Sequence, residues 1–187
     1  MNRFRSARAT SFKGFNRHAV LVCALVLIAG CASAPSDGVR IADARATLVR
    51  FVDHDPSLQE WVDHAHGYAV FPNIGKAGFG IGGSYGTGIV FERGEPIGRA
   101  RSTQGTVGLQ IGVQSFAQVI FFQDDAALRT FQRGNFEFSA QATAIIATSG
   151  AGATTSYERG VAVFIIPKGG LMAEATIGGQ KFDYEPL

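Results

Sequence analysis

Charge is scarce in this 187-residue chain: Asp, Glu, Lys and Arg make up 17% of it, against about 25% in soluble domains generally. Cysteine is limited to Cys23 and Cys31. The apolar run at residues 19–30 (AVLVCALVLIAG) has twelve residues, too few for the ~20 that a membrane-spanning helix needs. No two carboxylates stand out as an acid–base pair, and the HExxH spacing that sets two histidines on one helix face is missing. With 46% hydrophobic residues the core material is ample, and the length favours a single domain.

The scarce charge is also unevenly placed. Arg3, Arg5, Arg8, Lys13 and Arg17 precede the apolar run, and all fifteen acids follow Cys31. A basic segment, a short apolar segment and small residues before a cleavage point read as a secretory signal. Leu27-Ile28-Ala29-Gly30-Cys31 resembles the bacterial lipobox, in which the cysteine becomes the acylated first residue. This predicts a lipoprotein signal peptide at 1–30, lipidated Cys31 with a tether at 31–37, and one domain at 38–187. Such lipoproteins characteristically carry three acyl chains, since one chain anchors only marginally. Ala32 points to the outer membrane, because inner-membrane lipoproteins often carry Asp there. Cys23 leaves with the signal and lipid blocks Cys31, so no intramolecular disulfide is available. Twelve basic residues then face fifteen acids, a net charge of −3 in place of +2. A nucleic-acid reading loses its basis, and anion binding must come from a local patch.

Asp37 suits the N-cap of a first helix. Ile41, Ala44, Leu48 and Val52 repeat at helical spacing, with Val49 and Phe51 at the margins, while Arg40, Asp43, Thr47 and Arg50 share the other side. Arg45 sits where its stem can pack and its head reach water. This stripe serves either a membrane surface or the chain's own sheet. Pro56 opens a second helix carrying Leu58, Trp61, Val62 and Ala65. Strands are expected at 68–72, 77–85, 88–93, 98–104, 107–114 and 116–122, with Gly86-Thr87 and Gly94-Glu95-Pro96 as turns. A short helix at 124–133 starts at Asp124 or Asp125 and ends before Gly134. A strand at 136–146, a loop at 148–159, and a hairpin of 161–166 with 171–177 through Pro167-Lys168-Gly169-Gly170 follow. A last strand at 180–184 is allowed.

Three motifs suggest chemistry and lack its context. Gly78-Phe79-Gly80-Ile81-Gly82-Gly83 matches G-x-G-x-x-G, but strand residues follow where a phosphate site needs a helix N-terminus. Gly82-Gly83-Ser84-Tyr85-Gly86 matches G-x-S-x-G, yet no helix follows and every histidine precedes Ser84. His64 and His66 lie two apart, on different sides of a helix. No catalytic or metal site, and no cofactor, is expected.

The stretch at 67–91, GYAVFPNIGKAGFGIGGSYGTGIVF, holds Lys76 as its one formal charge. Phe79 and Ile81 alternate with Gly78, Gly80 and Gly82, giving one bulky and one bare side, and the bare side lets backbone approach closely. Val70-Phe71-Pro72 followed by Lys76-Ala77-Gly78-Phe79-Gly80 resembles the hallmark of the SYLF family of lipid-binding domains. Residues 106–122 (TVGLQIGVQSFAQVIFF), Lys168-Gly169-Gly170-Leu171-Met172-Ala173 and Tyr184 extend the similarity in order. The resemblance implies phospholipid binding. Eukaryotic members are associated with phosphoinositides and with actin at membranes, neither of which suits a bacterial envelope.

These readings predict an α+β, mostly β fold: two N-terminal helices packed on a strongly bent or closed antiparallel glycine-rich sheet, with one short helix inserted. The expected function is non-catalytic binding of anionic phospholipid by a lipoprotein anchored to the outer membrane, facing the periplasm or the cell surface. Arg40, Arg45, Arg50, Lys76 and Lys168 are the candidate headgroup contacts, the lysines because they flank glycine-rich backbone whose N–H groups can meet phosphate. The alternative is a structural or protein-interaction lipoprotein of the envelope. An exposed apolar docking patch would favour that alternative, and a basic-rimmed apolar groove would favour lipid.

Overall fold

The apolar stripe of the first helix is committed to the chain's own sheet. α1 (Asp37–His54) buries Ala44, Thr47, Leu48 and Phe51, which pack with Tyr68, Val70, Ile89, Phe91, Val119 and Phe121. Thr47 therefore lies inward, not on the polar side, and its hydroxyl accepts from Arg50 Nη2 at 2.6 Å. Val49 is exposed. Ser36, not Asp37, occupies the N-cap position. The computed structural model describes residues 35–134, 137–138 and 144–187, and gives only the backbone course of 137–138 and 171–179. The signal segment, Cys31, and Phe136, Ala140 and Ala142 of the expected strand lie outside the described residues. Pro35–Leu187 forms one compact unit.

α2 (Leu58–His64) follows Asp55 and Pro56. Three long strands then make the sheet: β1 (Gly67–Glu92), β2 (Glu95–Phe122) and β5 (Val161–Pro186). β1 and β2 form an antiparallel hairpin from Gly67↔Phe122 to Glu92↔Glu95. Arg93 and Gly94 close it with φ of 50° and 84°, the pair of positive values that a two-residue type I′ turn requires. β5 pairs antiparallel with β2 from Phe122↔Val161 to Gly98↔Pro186. α3 (Asp125–Gln132) is capped by Asp124, whose carboxylate accepts from the Ala127 amide. The short strands β3 (Glu137–Phe138) and β4 (Ile145–Ile146) both pair with β5, β4 in parallel. α4 (Ala151–Thr154) lies in the segment expected to be a loop. The sheet is thus open and mixed, correcting the closed and the purely antiparallel expectations.

Six expected strands are two, and the final hairpin is one strand. Gly86-Thr87 lies inside β1, and Pro167-Lys168-Gly169-Gly170 is a register shift opposite Ser115 and Phe116, not a turn. Continuous strands of this length must bend to bury anything. Here the ribbon doubles back. Residues from both ends of β1 meet in one cluster, Ala69 and Phe71 with Val90, Ala100, Ile120, Phe182 and Phe131. The Arg93 amide donates to His66 O at 3.1 Å across the two ends. The fold-back centres on the irregularity where Phe79 pairs Ile111 but Ile81 pairs Val107, with Gly80, Gly108 and Gly112 at positive φ. Such bulges bend the strand that carries them.

The two halves of β1 approach closely at Gly88. A Cβ there would collide with the Val70 carbonyl oxygen and lie 2.8 Å from the Phe71 ring. Gly88→Ala should cost about 1–3 kcal/mol by overpacking, whereas Gly75→Ala, with nothing within 4 Å of its Cβ position, should be close to neutral. Urea unfolding of the two variants checks this; equal midpoints would mean that the halves do not meet at Gly88.

Candidate functional site

Folding the ribbon gives it an inner and an outer side. The inner side carries the cluster around Phe71, Phe131 and Phe182. The outer side is covered near the strand ends by α1, α2 and α4. Asp55 ties these helices together. Its buried carboxylate accepts from Ser57 N and Ser57 Oγ, and from the amides of Gly150 and Gly152 at 3.0 and 2.7 Å. Burial alone would raise its pKa, but these hydrogen bonds from Ser57, Gly152 and Gly150 outweigh it and hold the carboxyl below its ordinary value. Trp61 packs on Tyr157, Phe164 and Phe121 and donates to Gly152 O.

Towards the bend the cover ends and the outer side stays apolar. Phe79, Ile81, Tyr85, Val107, Leu109, Ile111 and Val113 are all exposed, Phe79 by 80% and Leu109 by 82%. Residues 77–87 and 103–113 hold no charged residue. The alternation read from the sequence is present with its direction settled: Phe79 and Ile81 face out, Gly78 and Gly82 face in, and Gly80 is exposed at the irregularity between them. Gly78 and Gly82 leave room for the Gln110 side chain, which accepts from Thr106 Oγ1 at 2.8 Å and donates to Thr106 O. Exposed apolar surface on this scale marks an interaction site in a soluble domain.

Cations stand at the margin of this surface. Arg101 is exposed beside Thr87 and Asp183 in the register, and Lys181 lies beside Thr103, bonding Asp183 at 3.2 Å. Lys168 is exposed and donates to Pro72 O at 2.9 Å. Arg40 lines a hollow of about 200 Å³ with Val39, Asp43, Pro72, Thr87 and Ile89, and a neighbouring one with Arg99, Arg101, Asp183 and Glu185. So Arg40 and Lys168, two of the five predicted contacts, each lie beside Pro72. Arg45 lies elsewhere, its guanidinium 5.9 Å from the Phe91 ring centroid and bonding Gly94 O at the hairpin turn. Arg50 is exposed against Thr47. Lys76 is on the inner side, only 9% exposed. Arg101 and Lys181 were not singled out by the sequence, because only the register puts them next to the bare surface.

The tempting motifs resolve as strand. Residues 78–83 run through the bend of β1, and buried Ser84 donates to Gln104 Oε1 at 3.3 Å. Sequence reasoning set His66 aside, but the fold brings its Nε2 to 3.0 Å from Glu92 Oε1 and 3.9 Å from Asp125 Oδ1. Among the described residues this is the group of histidine and carboxylate atoms whose spacing suits a metal. Arg129 already bonds Asp125 at 2.8 Å and holds that carboxyl below its ordinary range, so one of the three groups is engaged by a cation of the chain's own. No helix among the described residues is long and apolar enough to cross a membrane.

Residues 103–184 match the family model described as Ysc84, Las17-binding protein actin regulator. Over 140 residues the chain is 28% identical to Beta cell expansion factor A of Aeromonas veronii, covering 74% of this chain and 53% of that protein. The chain thus spans about half the length of that relative. The matched residues take in the bend in β2 and most of β5, and over this part the chain is similar to the SYLF (Ysc84) family.

Proposed function

We propose that this chain is a membrane-anchored bacterial lipoprotein, acylated at Cys31, whose globular domain binds anionic phospholipid without catalysis. The observation that carries the reading is the uncovered outer side of the sheet, an uncharged apolar surface with Arg40, Arg101, Lys168 and Lys181 at its margin. Apolar area gives affinity for a lipid surface, and each cation near an anionic leaflet adds about 1 kcal/mol. The similarity to the SYLF family supports a lipid ligand, and Leu27-Ile28-Ala29-Gly30-Cys31 supports placement in the cell envelope. Actin regulation, named in the family's description, has no counterpart in that compartment. The second reading, a protein-docking lipoprotein of the envelope, draws on the same apolar surface; the basic margin is what favours lipid.

Residues 32–187 lack the proposed anchor and contain the whole compact unit. They should co-sediment with phosphatidylglycerol-containing vesicles and not with pure phosphatidylcholine, and less at moderate salt than at low salt. Replacing Arg101, Lys168 and Lys181 by Gln should lower the affinity by about 10- to 100-fold at low salt. Failure to sediment with any vesicle would turn the assignment to protein docking.

A further inference from the structure

We propose that the bend of the sheet is the part of the domain that enters the bilayer, its side chains reaching the acyl chains while the basic margin stays at the phosphates. The inference rests on the membrane reading above and names the element responsible. The stripe of α1, which the sequence left open to either a membrane surface or the chain's own sheet, is buried against Tyr68, Val70 and Phe91. What is left for an apolar phase is the bend.

Its layout follows the polarity of a leaflet. Outermost are Phe79, Ile81, Val107, Leu109 and Ile111, all well exposed. On the leg towards the hairpin turn the next cross-strand row is Gly83, Gly105 and Gly179, a waist without side chains. Below it come Tyr85 and Thr103 beside Lys181, then Thr87 and Arg101. On the other leg Val113 pairs Leu171, and Lys168 follows at the register shift. Val107 and Thr103 are four residues apart on β2, about 13 Å at ~3.3 Å per residue; three residues separate Leu171 from Lys168, about 10 Å. Apolar side chains that lie in a membrane interface sink about 5–10 Å. Seating the bend at that depth brings Lys181 and Lys168 to the headgroup plane from both legs, with Tyr85, an amphipathic ring, in the same cross-strand row as Lys181 on the far side of Thr103. Asp183 bonds Lys181 and pairs Arg101 in the register, and Arg101, Lys181 and Lys168 together still outnumber that carboxylate, so the legs stay net positive towards an anionic leaflet.

The backbone sets the limit of entry. Among the described residues β1 has β2 on one side and no strand on the other at the bend, and unpaired edge groups are costly in hydrocarbon. The side chains enter and the strand edges stay with the headgroups, which makes the bend a shallow wedge in one leaflet.

Residues 32–187 contain no cysteine, so single nitroxide labels report depth. Leu109→Cys, Ile111→Cys, Thr103→Cys and Val49→Cys all alter exposed sites and should leave the thermal melt unchanged. Vesicles of equal parts phosphatidylglycerol and phosphatidylcholine are the probe. Labels at 109 and 111 should gain collisions with oxygen and lose collisions with a water-soluble nickel chelate severalfold, with 103 intermediate and 49 unchanged. Sedimentation of the protein with labels 109 and 111 still as open to nickel as in buffer would overturn the wedge and leave lipid binding standing. Absence of sedimentation would overturn both.

Discussion

Replacing Phe79 and Leu109 together by Asp will abolish sedimentation of residues 32–187 with anionic vesicles and leave the fold intact. Moving one large apolar side chain out of water is worth about 1.5–3 kcal/mol. Two such losses multiply to at least about 100-fold in affinity, and the two carboxylates add repulsion from anionic headgroups. Both side chains are about four-fifths exposed in the folded protein, so their removal empties no core. The remaining cost is the poor fit of Asp to a strand, within about 1 kcal/mol per site. A vesicle-binding isotherm read beside a urea unfolding curve separates the two effects. Unchanged binding with unchanged stability would remove the bend from the membrane contact. Lost binding with lost stability would show that the side chains support the fold, contrary to their exposure.

The largest effect on stability is expected at Asp55. Its carboxylate is fully buried and satisfies two donors of Ser57 and the amides of Gly150 and Gly152, 95 and 97 residues away. Asp55→Ala leaves those buried amides without an acceptor, and hydrogen bonds to a charged group contribute about 1.5–3 kcal/mol each. A loss of about 3 kcal/mol or more follows at neutral pH, with Asp55→Asn intermediate because it keeps one acceptor. The same carboxyl gives a pH signature. Its folded pKa lies below the ordinary 3.8, so its contribution is full above that value and is lost as pH falls through the lower folded value. Urea unfolding from pH 7 down to about pH 3 should show part of the wild-type acid loss missing in Asp55→Asn. Equal acid slopes in the two proteins would contradict the proposed role of the carboxylate.

Local chemistry in the sequence carried the helices and failed on the strands. The spacing of Ile41, Ala44, Leu48 and Val52 marks the sheet side of α1, although Phe51, placed at its margin, is fully buried and Ile41 and Val52 are half-buried; Asp124 before an apolar period marks the start of α3, and both signals depend on residues within a few positions. Glycine is ambiguous in a strand. Gly86 reads as a turn residue, but in the fold a Cβ there would strike Asn73 O and Ile74, so it serves close backbone approach. Gly170 reads as a hairpin turn and instead sits at φ 103° next to a register shift. Turn and close approach both select glycine, and only the partner strand decides between them.

The candidate surface was half legible for a related reason. The alternation of Phe79 and Ile81 with glycine is plain in the sequence, but whether the bulky side packs or faces out depends on which way the ribbon folds. Lys76 and Lys168 both flank glycine-rich backbone, yet the fold places one inside and the other at the margin. Arg101 and Lys181 come from strands 80 residues apart and join the surface only through the pairing of β2 with β5. Asp55 stands just before Pro56 with no local sign of its role, because its partners at Gly150 and Gly152 are non-local.

The most direct test of the account is amide hydrogen exchange of residues 32–187 with and without phosphatidylglycerol-containing vesicles. The account predicts that exchange slows at residues 77–85 and 103–113 and stays unchanged along α1, whose apolar side is already buried. Slowing confined to α1, or none in the bend while the protein is vesicle-bound, would contradict it.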